Sequence, residues 1–140
     1  MREERAGRGK KALNFEDNMI KSPLDTLKEL RDIDKLKGLE IGALATPLVV
    51  RKRLSNRGEI FYLDHLSTEA LQKKYSKDKS VEVDQIVTVD YVCPDGELLK
   101  AVKGDCFDYI VSSHVIEHTP NPLKFLSDVW AMLKPGGLLF

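Results

Sequence analysis

Little in this sequence supports unusual chemistry. Cysteine occurs twice, at Cys93 and Cys106, and never as C-x-x-C. A disulfide framework or a thiolate zinc site needs more than that, so the pair reads as two reduced thiols in a cytosolic protein. Neither sign of charge is in surplus: 22 Lys and Arg balance 22 Asp and Glu. Without a basic excess to displace counterions from phosphates, a general nucleic-acid binder is not expected. No apolar run reaches the length of a membrane span, so no membrane partner is expected. The opening MREERAGRGKKALNF is charged and lacks the apolar centre of a secretion signal. Glycine is also scarce where a dinucleotide site would need it. G-x-G-x-x-G is absent, and the loop GALATP carries one glycine.

What is present suits one globular domain. The 140 residues are 42% apolar and 31% charged, enough to bury roughly two thirds of the unfolded surface. Residues 1–14 read as a flexible, solvated basic tail, and 15–140 as the folded portion. Ser22-Pro23 suits a helix start, and Leu24, Leu27 and Leu30 form one apolar stripe to about residue 32. KLKGLEIGAL then reads as a buried strand, RGEIFYLDHL as a second ending near Asp64, and DQIVTVD as a third ending at Asp90. FDYIVSS reads as a fourth. Between them, Ser67-Thr68-Glu69 opens a helix to about Tyr75, and GELLKAV allows one or two turns. Asn121-Pro122 opens the last helix, with Leu126, Val129, Trp130 and Leu133 on one core-facing stripe. KPGG ends that helix, and LLF begins a fifth strand.

Strands alternating with helices imply βαβ units. The expected fold is α/β, a Rossmann-like, open, mostly parallel sheet with helices on both faces. Ligands bind such sheets outside the carboxyl ends of the strands. An ionised aspartate only accepts hydrogen bonds, so Asp64 is placed to take the two hydroxyls of a ribose. Asp90, one strand further out, could accept from an adenine amino group. Glu40, preceding the GALATP loop, would repel a pyrophosphate and attract an ammonium or sulfonium group. The three together suggest an adenosine-bearing ligand with a cationic end. His65, beside Asp64, reads as a surface histidine.

The order of E-x-G after strand one, an acid after strands two and three, then FDYIVSSHVIEH, then a helix ending LKPGG, resembles class I S-adenosylmethionine-dependent methyltransferases of the type 11 domain group. HVIEHTPNP followed by LKPGG carries most of the specificity. The resemblance covers roughly residues 36–140. It implies S-adenosylmethionine as cofactor, with Glu40, Gly42 and Ala43 in the first motif, Asp64 at the ribose, and Asp90 and Tyr91 at the adenine. Ser113 would line the cofactor, and His114 and His118 would face the acceptor as tentative catalytic groups. It further implies a small-molecule or sugar-containing methyl acceptor. The family fold has seven strands, so this sequence would hold its front portion, to the start of strand five. One departure stands out: Leu44 and Thr46 occupy positions where the family motif has further glycines. The rival expectation is a Rossmann-like binding module that no longer admits the cofactor productively.

HVIEH also fits H-x-x-E-H, a zinc-protease pattern. There both histidines would share a helix. Here a strand precedes His114 and Thr119-Pro120 follows His118, and proline disfavours helix in the residue before it. One turn at most can form, which argues against zinc. Glu117 and His118 could equally tie the post-strand turn to its neighbours, and a histidine base is needed only if the acceptor must lose a proton.

Overall fold

Two short apolar segments with few outward polar positions make the centre of the sheet. In this computed structural model, described for residues 32–54 and 58–140 together with Asp25, Thr26 and Glu29, KGLEI forms β1 (Lys37–Ile41) and EIFYLD forms β2 (Glu59–Asp64). Leu39, Glu40, Ile60, Tyr62 and Leu63 are all buried, as expected of parallel strands covered on both faces. The strands are paired from Lys37↔Glu59 to Ile41↔Leu63. On the other side β1 pairs with β4 (Phe107–Ser112), in register Gly38↔Tyr109. The outer strands are β3 (Tyr91–Val92) beside β2 and β5 (Leu133–Leu139) beside β4. The order is β3-β2-β1-β4-β5, and every pairing is parallel. The expected tail lies outside the described residues, as do Ser22 and the leucine stripe of the first expected helix, whose described residues Asp25, Thr26 and Glu29 are helical.

Three helices with both ends among the described residues flank the sheet. The helix α1 (Thr68–Tyr75) is capped by Ser67, whose Oγ accepts Ala70 N at 3.3 Å. A single turn, α2 (Leu98–Ala101), precedes β4. Asn121 caps α3 (Pro122–Met132) by accepting Lys124 N at 3.0 Å, with Pro122 in the first turn. α2 and α3 share one face, where Leu98 packs in the same core as Phe125 and Val129. Phe125, Val129 and Met132 of α3 join Leu39, Ile41, Leu63, Phe107 and Ile110 in one core. Each such side chain contributes about 1.5–3 kcal/mol of burial. A second core gathers Ile33, Val49, Ile60, Tyr62, Tyr109 and Val111 on the other face. Gly38 exists for that core. A Cβ there would lie 2.1 Å from Tyr109 Cζ, so the tyrosine ring takes the space of the missing side chain.

Three expectations need correction. The third strand is two residues long, and DQIVTVD is mostly a 3-10 turn (Val83–Gln85) and unpaired chain. Asp90 precedes β3 rather than ending it, because its own carboxylate closes the pairing: Oδ2 accepts Tyr62 N at 2.8 Å while Asp90 N donates to Tyr62 O. The helix α3 ends at an extended Leu133 instead of a glycine. KPGG then bulges out of β5, since Phe107 faces Leu133 while Tyr109 already faces Leu138. Trp130 is 80% exposed, not core. The buried stripe runs through Phe125, Asp128, Val129 and Met132, and Trp130 sits one residue, about 100°, off it.

The buried carboxylate of Glu40 organises the second face. Its Oε1 accepts Leu48 N at 2.8 Å and its Oε2 accepts Val49 N at 3.0 Å. Burial pushes its carboxyl up, against the pull of those two amides. Glu40→Ala would strand both amides in a buried setting and should cost about 2–4 kcal/mol. Urea unfolding measures it, and a loss under about 1 kcal/mol would show that water satisfies the amides instead.

Candidate functional site

The carboxyl ends of β1, β2 and β4 open into a cavity of about 770 Å³, a size suited to a cofactor. Ile41, Gly42 and Leu44 line it after β1, and Leu63, Asp64 and His65 at the end of β2. The segment Cys93–Leu98 forms another wall. His114, Val115 and His118 close it after β4, with the cap residue Asn121 and with Lys124 and Phe125 of α3.

The floor is built by close approach. Gly42 has φ +72, and a Cβ on it would lie 2.8 Å from Val115 Cγ2. A side chain there would meet the post-β4 turn, so this one glycine is needed even in a glycine-poor loop. Two residues on, Leu44 has φ +48, a region that branched apolar residues rarely enter. Its carbonyl accepts Val87 N at 2.9 Å, which holds the strained backbone in place. Leu44 therefore stands in a glycine's conformation with a side chain directed to the cavity wall.

Of the expected site residues, the structure brings Gly42, Asp64, His114 and His118 to the cavity. It places the others elsewhere. Glu40 turns into the second core and gives both oxygens to the loop amides. Ala43 is buried in that same core. Asp90 is held by Tyr62 N and by the guanidinium of Arg51, which also lies over the Tyr62 ring. Tyr91 packs between Phe61 and Phe107, and its hydroxyl donates to Asp105 at the opposite end of the sheet. Ser113 is exposed and is not among the lining residues.

The cavity carries acids the expectations missed. Asp95 and Glu97 line it. Asp95 Oδ1 accepts Glu97 N at 3.1 Å, and that amide holds its carboxyl below the ordinary carboxylate range. The signal was the P-D-G turn in YVCPDGELL, an aspartate bonding the backbone two residues on. Lys124 answers these acids, with Nζ 3.4 Å from Glu97 and 2.6 Å from buried Asp128. The Cys93 residue is 5% exposed on the same wall, and burial pushes its thiol pKa up.

Asp64 is 8% exposed at the end of β2. Its Oδ1 accepts His65 N at 2.7 Å and meets His65 Nδ1 at 2.6 Å. His65 is exposed, as expected of a surface histidine, and its ring also meets the Asp64 carboxylate. HVIEH is not a helix: β4 ends at Ser112, His114 has φ +56, and only Ile116–His118 turns, as 3-10. His114 Nδ1 lies 3.2 Å from Glu117 Oε1. Among the described residues no group of three His, Cys, Asp or Glu could hold a metal ion.

If strain at Leu44 outweighs its packing, Leu44→Gly should leave stability unchanged or raise it by up to about 1 kcal/mol. Leu44→Ala should lower it. Chemical unfolding of both variants measures this, and a loss above about 1 kcal/mol for the glycine variant would contradict the ordering.

Comparison with known proteins agrees with this fold. The family described as "Methyltransferase domain" matches residues 39–140. A ubiquinone biosynthesis O-methyltransferase of Parvibaculum lavamentivorans is 37% identical over 75 residues, 54% of this chain and 29% of that protein. The match therefore spans less than a third of that relative's length. An arsenic(III) S-adenosylmethionine methyltransferase from Chlamydomonas reinhardtii shares the fold at TM-score 0.53 and 23% identity, over 76% of this chain and 38% of its own. The trans-methyltransferase CalH, solved as a complex with SAH, does so at TM-score 0.54 and 20% identity, over 84% and 34%. The chain belongs to the methyltransferase domain family, of the class I S-adenosylmethionine-dependent type that its sequence resembles.

Proposed function

We propose that this domain binds S-adenosylmethionine in the cavity at the carboxyl end of its sheet and methylates an oxygen of a small organic acceptor. The observation that carries this is Asp64, a nearly buried carboxylate at the end of β2 with one oxygen free of described donors, facing a cavity of about 770 Å³. The residues present suit the cofactor. Gly42 leaves a cradle that a Cβ would fill. Asp64 can accept a ribose hydroxyl, and Asp95 can accept from an adenine amino group at the wall formed by Cys93–Leu98. The bound cofactor supplies an electrophilic methyl on a sulfonium, open to in-line displacement.

The protein's part is positioning and the handling of one proton. A hydroxyl acceptor must lose its proton as the new bond forms. Glu117 is held below the ordinary carboxylate range by its own backbone amide, with His114 adding to it. An ionised Glu117 only accepts, so His114 carries its proton on Nδ1 and keeps the Nε2 lone pair for the acceptor hydroxyl. This is the orienting role of a carboxylate behind a histidine base. His118, on the same turn, borders the acceptor side. Val115, Phe125 and the apolar floor give the cavity an apolar wall beside an exposed His114.

The name of the Parvibaculum relative, a ubiquinone biosynthesis O-methyltransferase, favours an acceptor oxygen on a small molecule of that route over a sugar-containing acceptor. The glycine-poor loop supports a second reading, a domain that keeps the fold and excludes the cofactor, because Leu44 occupies wall space.

Isothermal calorimetry with S-adenosylmethionine and S-adenosylhomocysteine separates the two. Binding is expected, with Asp64→Ala weakening it by about 1–3 kcal/mol. Absence of heat at millimolar ligand would favour the non-binding domain. Once an accepted hydroxyl substrate is in hand, His114→Gln should lower kcat by about 100-fold or more while leaving S-adenosylhomocysteine affinity unchanged. An unchanged kcat would remove His114 as the base.

A further inference from the structure

Asp64 belongs to a chain of three side chains, all of which line the cavity. His65 Nδ1 is 2.6 Å from Asp64 Oδ1, and Lys74 Nζ, from the last turn of α1, is 3.1 Å from His65 Nε2. A lysine ammonium has donors and no lone pair, so Nε2 must be the accepting nitrogen. The proton of the neutral ring then sits on Nδ1 and is donated to Asp64. Residue 65 thus places two donors, its amide at 2.7 Å and its ring, on the same carboxylate oxygen. No described residue donates to Oδ2.

An unrestrained carboxylate can take two neighbouring hydroxyls, one on each oxygen. A carboxylate with both donors on Oδ1 offers a ligand mainly Oδ2. The side chain of Asp64 is only 10% exposed, which limits the room to turn the second oxygen outward. We propose that His65, anchored by Lys74, is a positioning residue that locks Asp64 with Oδ2 outward, so that the site reads one ribose hydroxyl of its nucleoside ligand rather than both. This rests on the cavity being the S-adenosylmethionine site. Lys74 acts at one remove: it fixes the tautomer and orientation of the imidazole and ties the end of α1 to the end of β2.

The test is calorimetric titration of the full chain with S-adenosylhomocysteine and with its 2′-deoxy and 3′-deoxy analogues. One analogue should bind about tenfold more weakly than the parent, as expected for a lost bond to a charged group, and the other should stay within about twofold. In His65→Ala, Asp64 is free to turn, and the ratio between the two analogues should fall to within about twofold. His65→Asn places an amide donor near Oδ1 and should restore the ratio. Lys74→Met, on an exposed part of the helix, should narrow the ratio without shifting the unfolding midpoint, which guards against a fold defect in the histidine variant. Equal penalties for both analogues in the unsubstituted chain would overturn the inference, as would a ratio that survives His65→Ala. If the unsubstituted chain fails to bind S-adenosylhomocysteine, the cofactor site falls and the inference with it. Binding with equal penalties overturns the inference alone.

Discussion

The grip of one buried carboxylate on two backbone amides underlies much of this architecture. Glu40 sits in the middle of the sheet with 2% exposure. Leaving a charge there unpaired would be costly. Its two oxygens instead take the amides of Leu48 and Val49. That fixes the return path of the chain after β1, which carries Gly42 and Leu44 past the cavity. Tyr62 adds a second tie: its hydroxyl donates to Val49 O at 2.7 Å and accepts Arg51 N at 3.2 Å. Arg51 in turn bonds Ile60 O and Asp90. The loop that lines the cavity is thus fastened from the opposite face of the sheet. An acid that the sequence suggests as a ligand contact works as the clamp behind that loop.

The cavity itself mixes charges with little surplus of either sign. Asp64, Asp95 and Glu97 face Lys74, Lys124 and three histidines. Most of these groups already hold one another: Asp64 with His65, His65 with Lys74, Glu97 with Lys124, and His114 with Glu117. Such pre-formed pairs set the orientation of each group in advance, and preorganised polar groups are what a positioning enzyme requires. The division of labour follows the strands. The end of β2 presents a carboxylate, the segment after β3 presents two more acids, and the turn after β4 presents imidazoles.

Much of the fold was legible because local signals agreed. Ser67 and Asn121 announced two helices, and the caps are made as those residue types make them. β1, β2 and β4 were readable as apolar runs of strand length. The failures have identifiable causes. DQIVTVD has a strand's composition, but an edge strand needs few ladder bonds, and Asp90 used its side chain to replace one of them. Trp130 looked like core because a large apolar residue in a helix usually is. The helix instead turned Phe125, Val129 and Met132 inward, and Asp128 is buried with a lysine partner. The site was half legible. Asp64 and Gly42 stand at a strand end and a forced turn, positions set by topology. Which way Glu40 and Tyr91 point depends on strand parity and on partners far along the chain, such as Asp105, and no short motif encodes that. Asp95 could have been found from its P-D-G turn.

The near-contact between Gly42 and Val115 has a mechanical consequence. Loop one and the turn carrying His114 and His118 come from separate strands, yet they touch where only a hydrogen fits. Packed interiors yield in discrete steps more readily than by gradual compression. The position of the first loop and that of the imidazole-bearing turn are therefore set together, by one contact between two separate strand ends.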